Sequence, residues 1–246
     1  MLPLLSVAIL AGAFAQRITG MGFALVVSPF LVVLLGPFDG VLVVNACAVL
    51  SSLIILPRVW RDVEWGRLVR LAVPAVVGTA TGAWVAAHVP GPAMQIGIGA
   101  LVVIALTSTL FAMRTAEPVT GAAPAIAAGL ASGFMNATAG VGGPAVSVYA
   151  VASRWPQLGF AATLQPYFII VSGSSLIAKF AATGWALPEL DPVAWPFILV
   201  AMLIGIGIGE LLQRRISPRI ARISVIAIAY LGGIAALVDG LLAVLS

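Results

Sequence analysis

Six apolar runs, residues 41–56, 68–87, 94–113, 160–180, 195–212 and 223–245, come close to the length that crosses a membrane. A helix needs about 20 mostly apolar residues to span the hydrocarbon core, where every backbone N–H and C=O must be paired within the segment. Two longer apolar regions, 2–35 and 122–152, are interrupted near their middles by glycine motifs. No stretch between these runs is long enough for a soluble domain. Composition agrees, since 62% of the residues are hydrophobic and 8% are charged, whereas soluble domains carry about 25% charged residues. The expected fold class is an all-α polytopic membrane protein.

The chain also carries an internal repeat. Gly20-Met21-Gly22 returns as Gly140-Val141-Gly142, and the amide of Asn45 returns as that of Gln165, both 120 positions later. Gly78-x-x-x-Gly82 returns as Gly205-x-x-x-Gly209, now 127 positions later, which needs only a longer loop in the second half. Residues 1–117 and 118–246 then form two repeats of one membrane domain. Each is a glycine-broken helical hairpin (2–35 or 122–152) followed by three transmembrane helices. A duplicated plan in so apolar a chain points to a transporter.

Loop charge sets the orientation. Ten of the twelve Lys and Arg residues sit in four loops: Arg58, Arg61, Arg67 and Arg70; Arg114; Arg154; and Arg214, Arg215, Arg219 and Arg222. These loops are expected in the cytoplasm. The loop at 88–92 has no Lys or Arg and that at 183–192 carries Glu189 and Asp191, so both are expected outside, together with the two chain ends. Lys179 is the exception. Matching loops of the two repeats fall on opposite sides, which makes the repeats inverted, the plan that builds two gates around a central site. Trp60, Trp65, Trp155, Trp185 and Trp195 fall at span ends, where indoles favour the headgroup region.

Several classes are disfavoured. The arginines flank apolar spans instead of forming a soluble basic face, so no nucleic-acid partner is expected. The single cysteine, Cys47, excludes an internal disulfide and any multi-cysteine metal site, and reads as a packing residue. The sole histidine, His88, sits at a span end and reads as a loop residue; without H-E-x-x-H or paired span-centre aspartates there is no basis for an intramembrane hydrolase. No cofactor or metal is expected. The start of the chain lacks the basic residues of a cleavable signal, so residues 2–15 read as the first membrane segment.

Candidate binding residues cluster at the glycine motifs. In Gln16-Arg17-Ile18-Thr19-Gly20-Met21-Gly22 and Asn136-Ala137-Thr138-Ala139-Gly140-Val141-Gly142-Gly143-Pro144, glycines permit a backbone break beside amides and hydroxyls. A helix that restarts after such a break presents unpaired N–H groups and the positive end of its dipole, which is a cradle for an anion. Arg17 lies within the first apolar region, where a charge at membrane depth costs about 2.5–3.5 kcal/mol. Either it ends a short helix and snorkels to an interface or it stands beside the anion. Asn45 and Gln165 add matched amides. The candidate substrate-binding set is Arg17, Thr19, Gly20, Gly22, Asn45, Asn136, Thr138, Gly140, Gly142, Gly143 and Gln165. Gly78/Gly82 and Gly205/Gly209 read instead as helix contact faces.

These residues resemble the TauE/SafE sulfite-exporter-like permeases, also called the 4-toluenesulfonate uptake permease group. The likeness covers nearly the whole chain: the duplicated plan, Thr19-Gly20-Met21-Gly22-Phe23, Gly140-Val141-Gly142-Gly143-Pro144, and the basic connection 214–222 before the last span. The first motif departs from the family's fuller glycine run at Phe23 and Ala24. The resemblance implies movement of sulfite, sulfonates or related small organic anions across a bacterial inner membrane. An exporter working by alternating access leads, with an anion channel or a non-transporting scaffold as alternatives. Expected partners are a small anion and the bilayer, and a homodimer is left open. No span centre holds Asp or Glu; Glu210, near a helix end, is expected to pair with Arg214 four residues on.

Overall fold

The computed structural model describes residues 2–19, 22–112, 119–182, 185, 188, 190–212 and 218–245. Among them the regular structure is helical: α1 Leu2–Thr19, α2 Gly22–Leu35, α3 Pro37–Val59, α4 Trp65–His88, α5 Gly91–Ala112, α6 Ala123–Ala139, α7 Gly143–Ala152, α8 Gln157–Ala182, α9 Ala194–Leu212 and α10 Pro218–Leu245. Six of these, α1, α3, α4, α8, α9 and α10, are long and apolar enough to cross a membrane. The predicted run 94–113 falls on α5. Each broken hairpin, α1–α2 and α6–α7, is followed along the chain by three helices, of which α5 is not among the six.

Local sequence sets the boundaries. Gly36, at φ +81°, separates α2 from α3, whose first turn opens on Pro37. Gly140 closes α6 in the left-handed conformation at φ +71°, and its N–H donates to the Asn136 carbonyl at 2.9 Å. Proline near the start of α6 and α7 costs no hydrogen bond, because the first N–H groups of a helix have no partner within it.

The centre of the molecule is α3 lying along α8. Of the apolar window of each, 61% is buried, against 28% for α10. Around this pair, α4 packs on α6, α9 on α1, and α5 on α10. Two of these seams are made by the glycine pairs. A β-carbon on Gly78 would collide with the Leu130 carbonyl, and one on Gly82 would stand 2.6 Å from the Phe134 carbonyl oxygen. On the other seam, a β-carbon on Gly205 would collide with the Leu10 carbonyl, and one on Gly209 would stand 2.7 Å from Cβ of Arg17. Leu10 and Leu130, Phe14 and Phe134, and Arg17 and Ala137 are each 120 positions apart. The glycines therefore let backbones approach, as expected of small residues between membrane helices.

The outer surface is apolar. Val73, Leu211 and Leu231 are 63%, 78% and 69% exposed, a surface suited to lipid rather than water. Trp60, Trp65 and Trp185 are exposed near helix ends, but Trp155 is only 7% exposed. Its indole N–H donates to Glu64 Oε1 at 2.6 Å, and the Arg67 guanidinium lies 4.7 Å from its ring centroid. The residue that reads as an interfacial anchor is here a buried hydrogen-bond donor tying the start of α4 to the α7–α8 turn. His88 is the last residue of α4, not a loop residue. Arg114, Glu189, Arg214 and Arg215 lie outside the described residues, and with them the expected Glu210–Arg214 pair.

Candidate functional site

Several buried polar side chains converge on the α3–α8 pair. Gln16, Asn45, Ser51, Ser52, Asn136, Gln165, Ser172 and Ser175 are each at most 2% exposed. They form two groups. In one, Gln16 Nε2 donates to Gln165 Oε1 at 3.4 Å and to Ser52 Oγ at 3.5 Å, while Ser51 Oγ donates to Gln16 Oε1 at 2.8 Å. In the other, Asn136 Nδ2 donates to Asn45 Oδ1 at 2.6 Å and to Ser172 Oγ at 3.4 Å, while Asn45 Nδ2 donates to Ser175 Oγ at 3.3 Å.

Three members of each group match across the offset, while Ser51 and Ser175 do not, since Ser51 maps to Val171 and Ser175 to Ile55. Adding 120 to Gln16 gives Asn136, to Asn45 gives Gln165, and to Ser52 gives Ser172. Each hairpin helix thus sends one amide, from near its C-terminal end, to the central helix of the opposite half. The central amides also bond alike: Asn45 Nδ2 to the Val41 carbonyl at 2.9 Å and Gln165 Nε2 to the Ala161 carbonyl at 3.0 Å, each four residues back. Along α3 the groups are about 10 Å apart at ~1.5 Å per residue. Pro166, inside α8 beside Gln165, has no N–H and so withholds the usual helical bond from the carbonyl four residues earlier.

The second glycine break is built tightly. Ser28 Oγ on α2 donates to the Ala139 carbonyl, and Ser132 Oγ donates to the Gly142 carbonyl at 2.7 Å. A β-carbon on Gly140 would stand 3.1 Å from Val44 Cγ1, and one on Gly142 2.7 Å from Ser132 Oγ. Gly142 is right-handed at φ −83°, so the need for glycine there is space and not backbone twist, whereas Gly140 needs glycine for its positive φ. Gly143 is buried at the start of α7. The first break differs in what can be described: Gly20 lies outside the described residues, and Gly22 begins α2.

The remaining expected residues fall elsewhere. Arg17 sits in the last turn of α1 with its Nε on Glu210 Oε2; Arg58 Nη1 reaches the same oxygen at 3.3 Å. This three-residue ionic cluster joins the ends of α1, α9 and α3, and it answers the Arg17 charge with a carboxylate rather than with the amide groups. Thr138 Oγ1 donates to the Phe134 carbonyl and Thr19 Oγ1 to the Ala15 carbonyl, both at 2.8 Å and within their own helices. The structure thus pairs Asn45 with Asn136, places Gln165 in the other group, and adds Gln16, Ser51, Ser52, Ser172 and Ser175. The 120-residue offset, applied to every polar residue and not only to the motifs, would have found Gln16 and Ser52.

Chemically, the arrangement offers neutral amide and hydroxyl donors with no carboxylate among them. Among the described residues there is no group of His, Cys, Asp and Glu that could hold a metal. A family model described as sulfite exporter TauE/SafE matches residues 4–236. The chain belongs to the TauE/SafE family. Neither a curated protein nor a solved structure matches it significantly. As a member of TauE/SafE, the chain is a sulfite-exporter-like membrane transporter and not an enzyme. In TauE/SafE terms, the buried amide groups occupy the core of a multi-pass integral membrane protein.

Proposed function

We propose that this protein is a secondary transporter that exports small anions, sulfite or organic sulfonates, across the bacterial inner membrane by alternating access between two inverted repeats. The observation that carries the reading is the pair of matched contacts, Gln16–Gln165 and Asn136–Asn45, in which Gln16 corresponds to Asn136 and Asn45 to Gln165, each 120 positions on. Inverted repeats give a transporter two equivalent gates, and a contact that occurs once in each orientation is the expected consequence. With both amide pairs closed on themselves, the path is occluded. Parting either pair frees N–H donors that an anion requires once its water is removed.

In this reading the anion is taken by Asn45, Asn136 and Gln165, joined by Gln16. The backbone N–H groups where α2 and α7 begin, around Gly22, Gly142 and Gly143, cradle it, and Thr19, Thr138 and Arg17 line its approach. Export needs no proton relay. An inside-negative potential of 100 mV drives each negative charge outward by about 2.3 kcal/mol.

Purified protein in sealed proteoliposomes, tested with sulfite, sulfoacetate and 4-toluenesulfonate, is expected to give saturable flux of at least one of them. Flux that rises linearly with concentration to the solubility limit would make the protein a channel. No flux of any of the three would leave a scaffold.

A further inference from the structure

Lys179 is fully buried in the last turn of α8, at the end of the molecule opposite the Arg17–Glu210–Arg58 cluster. Its Nζ lies 4.5 Å from the centroid of the Phe38 ring at the start of α3, and the Asp39 carboxylate acts on it electrostatically. A buried ammonium is costly, and the aromatic face and the nearby carboxylate offset that cost. A membrane protein keeps such a group where it is used.

Three further observations say for what. First, Gln165, Ser172, Ser175 and Lys179 share one face of α8, since spacings of 7, 3 and 4 residues return to the same side of a helix. The ammonium therefore continues the polar stripe of the candidate path toward the end expected outside. Second, Phe38 lines a cavity of about 290 Å³ together with Ala86, Val89, Met94 and Ala182, at the same end. Allowing about 30 Å³ per water, the cavity holds a small oxyanion with part of its hydration. Its lining side chains are apolar, and the Lys179 ammonium is linked to it through the Phe38 ring rather than lining it. Third, the position 120 residues before Lys179 is Val59, so this charge has no counterpart in the other repeat.

We propose that Lys179 is the outer anion-binding station of the transporter: it takes the substrate from, or releases it to, the cavity beside Phe38, and exchanges it along α8 with Ser175, Ser172 and the amide groups. The ligand class is a small oxyanion of sulfur, and the inference rests on the anion-transport reading above. Because Lys179 stands at the outer end only, its effect is one-sided. An anion approaching from the outer face meets Lys179 before the neutral amides, whereas one approaching from the inner face passes the Arg17–Glu210–Arg58 cluster and meets Lys179 last.

The test uses the full-length protein in proteoliposomes of defined orientation, with sulfite as the probe, measuring half-saturation from each face separately. Lys179→Met is expected to raise the outer half-saturation concentration at least tenfold and to leave the inner one within about twofold. Lys179→Arg, which keeps the charge, is expected to stay near wild type on both faces. Removing one member of a buried charge pair can prevent folding, so Lys179→Met combined with Asp39→Asn, which removes both charges, carries the same expectation. Unchanged outer half-saturation in the double variant overturns the station, as does an equal rise on both faces, the sign of general damage. Wild-type protein that moves none of the three sulfur oxyanions overturns the transport reading itself, an outcome distinct from either.

Discussion

Asn136 on α6 donates its side-chain amide to Asn45 on α3 at 2.6 Å, with both residues almost completely buried. Neither partner has water to fall back on, so the contact is unusually sensitive to the loss of one side. Asn136→Leu alone is expected to destabilise the protein by about 1–3 kcal/mol, the cost of leaving a buried amide unmatched. Asn136→Leu with Asn45→Leu is expected to recover much of that stability and none of the transport. Thermal unfolding in detergent and sulfite flux of the two singles and the double give the comparison. A double variant that transports normally removes this pair from the path.

The glycine break before α7 predicts two costs of different origin. Gly140→Ala keeps a small side chain but must hold φ near +71°, which is expected to cost about 1–3 kcal/mol. Gly142→Val meets no such backbone penalty; its β-carbon instead falls 2.7 Å from Ser132 Oγ and 2.8 Å from the Ser132 carbonyl oxygen. Backbone cannot move aside as a flexible side chain can, so this variant is expected to be the less stable of the two. Melting temperatures in the opposite order would mean that the break relaxes around Gly142.

Arg17 and Glu210 separate two roles for the first-half arginine. If the guanidinium serves the anion, Arg17→Gln weakens apparent affinity by about ten- to a hundredfold, as the loss of one charge-assisted contact of about 1.5–3 kcal/mol implies. Glu210→Gln then leaves Arg17 free and affinity no weaker. Equal loss in both variants would show that Arg17 acts as a clamp on α9. The pair is part-exposed, with side chains 16% and 40% accessible, so neither change is expected to cost more than about 1 kcal/mol of stability.

Orientation is open to thiol labelling. Cys47 is fully buried, so the wild-type protein is expected not to react with an impermeant maleimide, and Cys47→Ala is a suitable background. Single cysteines replacing Arg61 or Arg219 are expected to label only after the membrane is opened, and cysteines at 90 or 191 in intact cells. Labelling at position 61 from outside would reverse the assignment.

Much of this architecture was legible because apolar runs and small-residue pairs are one-dimensional signals. Spans 41–56 and 160–180 became the two most buried of the six candidate spans, and Gly78/Gly82 and Gly205/Gly209 became packing seams because a larger residue would strike the neighbouring helix. The site was legible only in part. Asn45, Asn136 and Gln165 stood out as amides in apolar surroundings, but serines are common in membrane helices, and Ser52 and Ser172 become distinctive only when the offset is applied to them. Arg17 was harder. Its partner lies 193 residues away on α9, and nothing local in either segment reports that their helix ends meet. Trp155 misled for a related reason: its position in the sequence is that of a span end, while its surroundings are decided by Glu64, from the other half of the chain.

The two glycine seams cross the boundary between the halves, α4 of the first half lying on α6 of the second, and α9 of the second on α1 of the first. Neither half can therefore close its own surface. A fragment ending near residue 117 would turn the bare backbone faces of Gly78 and Gly82 toward lipid, with nothing small enough or near enough to fill them. Such fragments are expected to be degraded when made singly and to rebuild a working protein when made together. By the same geometry, a chain of half this length could satisfy both seams only by clasping a second copy of itself.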